Sequence, residues 1–170
     1  MKVEEFCHQL EEQLAPLADA EQRIETAVQA VSRAYGVSTE EVAIFSLDAG
    51  RTILHFRWPL KLKKLGFIPL SSHDSLASRT VRDNKAFLNN RFSSAPHTSI
   101  FERVRLEEGR VEKPLPIQKI ISVPISGEGQ VKGVIQVSRK AAKANEGVKD
   151  FVKNDLTTLV AIAKVLGKHL

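Results

Sequence analysis

The stretch Ile117-Gln-Lys-Ile-Ile-Ser-Val-Pro-Ile-Ser-Gly-Glu-Gly-Gln-Val-Lys-Gly-Val-Ile-Gln-Val-Ser138 decides the fold. Two apolar, β-branched runs flank Ser126-Gly127-Glu128-Gly129-Gln130, whose glycines accept the positive φ of a tight reversal. The stretch therefore predicts a β-hairpin. Neither run alternates with polar residues as a strand with one wet face does, so the hairpin belongs inside a sheet covered on both faces. Pro124 withholds one ladder donor and predicts a strand end or a bulge. Gly133 predicts a bulge or a close backbone approach.

Working outward, Val42-Ala-Ile-Phe-Ser-Leu47, the turn Asp48–Arg51 and Thr52-Ile-Leu-His-Phe-Arg-Trp58 predict a second hairpin. In its second strand Leu54, Phe56 and Trp58 share one face, with Ile53, His55 and Arg57 on the other. Val3, Phe6, Cys7, Leu10, Leu14 and Leu17 recur at helical spacing, which predicts an amphipathic helix running to about Leu14 and stopped by Pro16. Asp19 with Gln22 resembles a capping box ahead of the stripe Ile24, Ala27, Val28, Val31 and Ala34, and Gly36 suits a left-handed helix end. These N-terminal helices serve either a coiled-coil-like dimer or packing within the chain. Phe67–Leu70 predicts a short strand. A helix capped by Ser72 or Asp74 then runs to about Asp83, burying Leu76, Ala77, Thr80 and Val81. Ala86–Asn89 predicts another strand, and residues 91–116 a loop with one short helix around Ile100–Leu106. A long irregular segment in a compact domain is often functional. A final amphipathic helix carries Val152, Leu156, Leu159, Val160, Ala163 and Leu166, widened by Phe151 and Ile162. Antiparallel strands flanked by helices indicate α+β: a central antiparallel sheet of about six strands with helices on its faces and the N- and C-terminal helices packed together. Residues 1–18 form the N-terminal amphipathic helix and 19–170 the domain.

At 170 residues the chain suits one domain that buries about two-thirds of its unfolded surface. No apolar run approaches the ~18–20 residues of a membrane span, and the acidic start Met1–Phe6 is no secretory signal. Cys7 is the only cysteine, which excludes an internal disulfide and fits a reducing cytoplasm. The net charge of +5 hides an asymmetry: residues 1–50 carry 10 acidic and 3 basic side chains, the rest 10 and 22. The favoured reading is that acidic N-terminal helices pack on the basic remainder or on a second subunit. Nucleic acid is the lesser reading, because no recognition helix or aromatic-basic interleaving accompanies the charge.

Ile120-Ile-Ser-Val-Pro-Ile125 with Val131-Lys-Gly-Val-Ile-Gln-Val137 resembles the final hairpin of a GAF domain. Phe151, Asp155, Leu156, Leu159 and Ala163 stand at the spacing of that family's C-terminal helix, and Leu76–Asn89 is similar to its helix–turn–strand segment. The resemblance spans roughly Ile24–Leu166. It implies a regulatory, signal-sensing module that binds a small molecule and forms a homodimer through its terminal helices, with a pocket at about residues 58–116. Subfamily marks are incomplete: Asn84-Lys85-Ala86-Phe87 begins like the cyclic-nucleotide signature without its later Asp-Glu pair. Cys7 lies outside the region where the methionine-sulfoxide-reductase and bilin-binding types carry cysteines.

The five histidines show no ligand pair at i, i+3 or i, i+4, so no metal site is expected. Ser72-His73-Asp74 has the residue types of a catalytic triad, but neighbours at a helix start cannot converge as one. Without a nucleophile elbow or a phosphate-binding glycine loop, the expectation is a binding module and not an enzyme. Trp58, Phe67, Arg79, His97 and Phe101 form the candidate pocket, since a guanidinium among aromatics suits a planar anion. The plainer alternative has Arg79 and Arg82 in solvent and the aromatics in the core. The cofactor stays open. So does a second function, a protein–protein scaffold that binds no ligand.

Overall fold

The deciding stretch is a hairpin: β5 (Ile117–Gly127) and β6 (Gln130–Lys140), reversing through Glu128 and Gly129 at φ 55° and 78°. The computed structural model describes residues 2–64, 66–94, 115–143 and 147–170. The loop and short helix expected around Ile100–Leu106 lie outside them. Among the described residues the chain forms α1 (Val3–Leu14), α2 (Ala20–Tyr35), β1 (Val42–Leu47), β2 (Ile53–Trp58), β3 (Phe67–Pro69), α3 (Leu76–Asp83), β4 (Phe87–Asn89) and α4 (Lys153–His169), besides the hairpin. The strands make one antiparallel sheet in the order β3-β2-β1-β6-β5-β4. The fold class is α+β, as the pattern of elements predicts.

Both sheet faces are covered, which explains the unbroken apolar runs of β5 and β6. On one face Val42, Ile44, Ile121, Val123, Ile125, Ile135 and Val137 pack under α1, α2 and α4. On the other, Ala43, Phe45, Ile120 and Val134 meet Leu76, Ala77 and Val81 of α3. Leu10 and Leu14 of α1 are buried in the first core, so the apolar stripe of that helix is used within the chain. The acidic N-terminal part pairs with the basic remainder: Glu11 with Lys168 and His169, Glu21 with Lys63, Glu40 with Lys61. No helix among the described residues is long and apolar enough to cross a membrane.

The helix ends follow local chemistry. The Asp19 carboxylate accepts from the Gln22 N–H at 3.3 Å, and Gly36 closes α2 at φ 64°. At α3 the expectation is corrected. Ser75, not Ser72 or Asp74, accepts from the Ser78 N–H (3.1 Å), because the chain is still turning ahead of it. Pro124 is a second correction, being neither a strand end nor a bulge. It continues β5 opposite Val134, two residues past Ser122, where the pairing with β4 ends, so no ladder bond is needed on that flank. Gly133 meets its expectation: a Cβ there would overlap the Phe45 carbonyl oxygen of β1. A third correction concerns Trp58. Ile44 pairs with Trp58 but Phe45 with Phe56, so Arg57 is an extra residue, a β-bulge. Beyond the bulge the alternation is reset. Trp58 joins Ile44 in the core under α1, α2 and α4, while Leu54 and Phe56 stay in the core under α3.

Candidate ligand-binding site

The α3 face holds an unusual polar line. Gln136, Ser122 and Phe87 are cross-strand partners in one row of β6, β5 and β4, and Thr80 of α3 reaches Ser122. All three polar residues are buried, and Gln136 is only 2% exposed. The direction of the hydrogen bonds follows from counting donors. Thr80 spends its one hydroxyl hydrogen on the Leu76 carbonyl at 2.7 Å. The 2.7 Å contact between Thr80 and Ser122 must then use the Ser122 hydrogen. Ser122 can therefore only accept from Gln136, whose Nε2 lies 3.1 Å away. This fixes the amide and turns its carbonyl away from the chain of bonds. Gln136 Oε1 has no partner among the described residues. An orphaned buried acceptor costs about 1–3 kcal/mol, so this atom is set up for a donor that the described chain does not supply. Gln118 Oε1 is in the same condition, while its Nε2 donates to the Ala141 carbonyl at 2.8 Å.

The expected pocket residues do not gather around this row. Trp58 lies on the opposite face and donates Nε1–H to the Thr39 carbonyl at 2.8 Å. Phe67 pairs with His55 on that same opposite face and is 56% exposed. Only Arg79 comes close. Half exposed, it bonds Asp83 at 3.4 Å and stacks over the Phe87 ring, 4.8 Å from its centroid, at the rim of the polar row. His97 and Phe101 lie outside the described residues. Thr80, Ser122 and Gln136 were not singled out by sequence reasoning, although a signal existed. Ser122 and Gln136 are polar residues inside runs otherwise apolar enough to be buried on both sides, and buried polar groups need partners.

A concavity of about 520 Å³ opens on the helix face between the start of α2, the end of α4, the β1–β2 turn and the β5–β6 turn. Arg23, Arg51, Arg57 and Lys132 line it together with Asp48 and Glu128. The Asp48 carboxylate accepts from the Ile53 and Thr52 N–H groups at 3.0 and 2.8 Å, and these bonds hold it below the usual carboxylate range.

No protein-family model and no curated protein matches the chain. Solved structures do. The GAF domain of a phosphoenolpyruvate-protein phosphotransferase from Coxiella burnetii superposes with a TM-score of 0.73 at 13% identity, covering 98% of this chain and 91% of that one. Its counterpart from Acinetobacter gives 0.70 at 16%, covering 96% and 89%.

The fold is GAF-like.

That fold also carries catalysis elsewhere. Free methionine-R-sulfoxide reductase from Neisseria meningitidis superposes with a TM-score of 0.68 at 17% identity, covering 98% of this chain and 87% of the enzyme. Two further free methionine-R-sulfoxide reductases, from Staphylococcus aureus and Thermoplasma acidophilum, match at 15% and 19% identity. The expectation that the chain is not an enzyme is thereby overturned, since a GAF-like sheet serves enzymes as well as regulatory domains.

Proposed function

We propose that this GAF-like chain is a regulatory module that binds a small molecule on the α3 face of its sheet, with Gln136 as the anchoring acceptor. The observation that carries the reading is the buried Gln136 Oε1, held in one orientation by Ser122 and Thr80 and left without a partner among the described residues. A ligand with an N–H or O–H group would supply the missing bond. Arg79 over Phe87 at the rim adds a guanidinium for an anionic edge.

The experiment is a thermal-shift screen with nucleotides, haem, flavin and aromatic metabolites, repeated on Gln136→Leu. The expected result is at least one compound that raises the melting temperature of the wild-type chain and loses that effect in the variant, because bound ligand stabilises by mass action. A screen with no stabilising compound, or with stabilisation that Gln136→Leu leaves untouched, overturns the reading.

A further inference from the structure

The cleft on the helix face lies across the sheet from the Gln136 row and has its own chemistry. Its floor is apolar, made by Ile24, Ile44 and Ile125 from α2, β1 and β5. Its rim is cationic, yet most of the cations are already engaged. Arg23 donates to the Leu17 and His169 carbonyls (2.6 and 3.1 Å), and Arg51 to the Val131 carbonyl (3.0 Å). Lys132 Nζ stands 3.4 Å from the Gly167 carbonyl. Arg57 differs from these. Half-buried at the bulge of β2, its guanidinium has no hydrogen bond, ion pair or ring contact among the described residues. The half-buried Ser46 hydroxyl, on β1 in the same cleft, is equally uncommitted. Of the two acids at the rim, Asp48 is held by the β1–β2 turn and Glu128 is exposed at the tip of the hairpin. Neither makes an ion pair with Arg57.

A planar fork of N–H donors that folding leaves unpaired, beside a free hydroxyl and above an apolar floor, matches an oxyanion carried on an apolar body. The volume is that of an ordinary small-molecule site. We propose that this cleft binds a small organic oxyanion, a phosphate or carboxylate, with Arg57 and Ser46 holding the head group and Ile24, Ile44 and Ile125 the body. The site is independent of the Gln136 row, and the two stand or fall separately.

The test is an amide-resolved NMR titration of the full chain with phenyl phosphate and with benzoate, using benzyl alcohol as the uncharged control. Trp58, the only tryptophan and the neighbour of Arg57, gives a parallel fluorescence reading. At least one of the anions is expected to move the Ile44, Ser46 and Ile125 amides saturably, while the alcohol does not at equal concentration. The tighter of the two identifies the head group. Arg57→Gln should weaken binding about tenfold or more, and Ser46→Ala should weaken it less. The proposal is overturned if neither anion saturates, if benzyl alcohol binds as well, or if Arg57→Gln retains full affinity.

Discussion

Tyr35 shows how one side chain ties two ends of the sequence together. Its hydroxyl donates to the Asp155 carbonyl at 2.7 Å, joining α2 to the start of α4. Burial pushes the phenol pKa up, and the negative charges of Asp155 and Cys7 push it further. An unfolded tyrosine ionises near pH 10, whereas the folded one keeps its proton beyond that point. The native state thus holds more protons, and its stability is intact below about pH 10 and falls as pH rises above it. Because Tyr35 is the only tyrosine, absorbance at 295 nm reads it alone. We expect no ionisation step at pH 10 while the circular dichroism is native, and a step that coincides with unfolding at higher pH. A reversible step near pH 10 in the folded protein would show that the contact with Asp155 is not made in solution. Cys7 allows a similar test. Burial raises its thiol pKa, with Glu4 and Glu11 adding to the effect, so its reaction with a thiol reagent at pH 8 should be slow and should accelerate on denaturation.

Among the elements, the β1–β6 contact leaves no room for a side chain. At Gly133 a side chain would collide with the Phe45 carbonyl in the middle of the sheet, where neither strand can withdraw without breaking its other ladder. Gly133→Ala should cost about 1–3 kcal/mol or more, read as a lower urea midpoint. An unchanged midpoint would mean that the two strands are not in this register. Gly133 was legible in sequence because a glycine inside an apolar strand has few reasons to be there. The hairpins, α2 with its Asp19 and Gly36 ends, the buried side of α3 and the sheet class were legible for the same kind of reason: local periodicity and turn chemistry. The bulge at Arg57 was not. Nothing in Phe56-Arg57-Trp58 marks an extra residue, since the bulge is defined by the pairing with Ile44 and Phe45, a strand away. That one residue moved Trp58 from the expected pocket to the opposite core. The candidate site was poorly legible for a related reason. Thr80, Ser122 and Gln136 are far apart in sequence and acquire a shared role only when α3 crosses β5 and β6.

On the scale of the whole molecule, the sheet separates two cores of different character. The core under α3 contains the polar row and the half-finished hydrogen-bonding of Gln136. The other, under α1, α2 and α4, is packed from aliphatic and aromatic side chains. Part of the charge asymmetry along the chain is offset on that side, where Glu11 of α1 meets Lys168 and His169 of α4. Such exposed pairs contribute little each, so the docking of α1 should depend on Leu10 and Leu14, which are 2% and 0% exposed. Leu14→Ala is therefore expected to destabilise the protein by about 2–5 kcal/mol, the range for emptying a leucine-sized space in a core. Glu11→Gln, which only weakens the surface pairs to Lys168 and His169, should change stability far less. Because α1 shares its core with the sheet, chemical denaturation of Leu14→Ala should still give one transition at a lower midpoint, with fluorescence and circular dichroism coincident. Two separated transitions would show that α1 unfolds on its own, and an unchanged midpoint that it is not docked on α2 and α4 in solution.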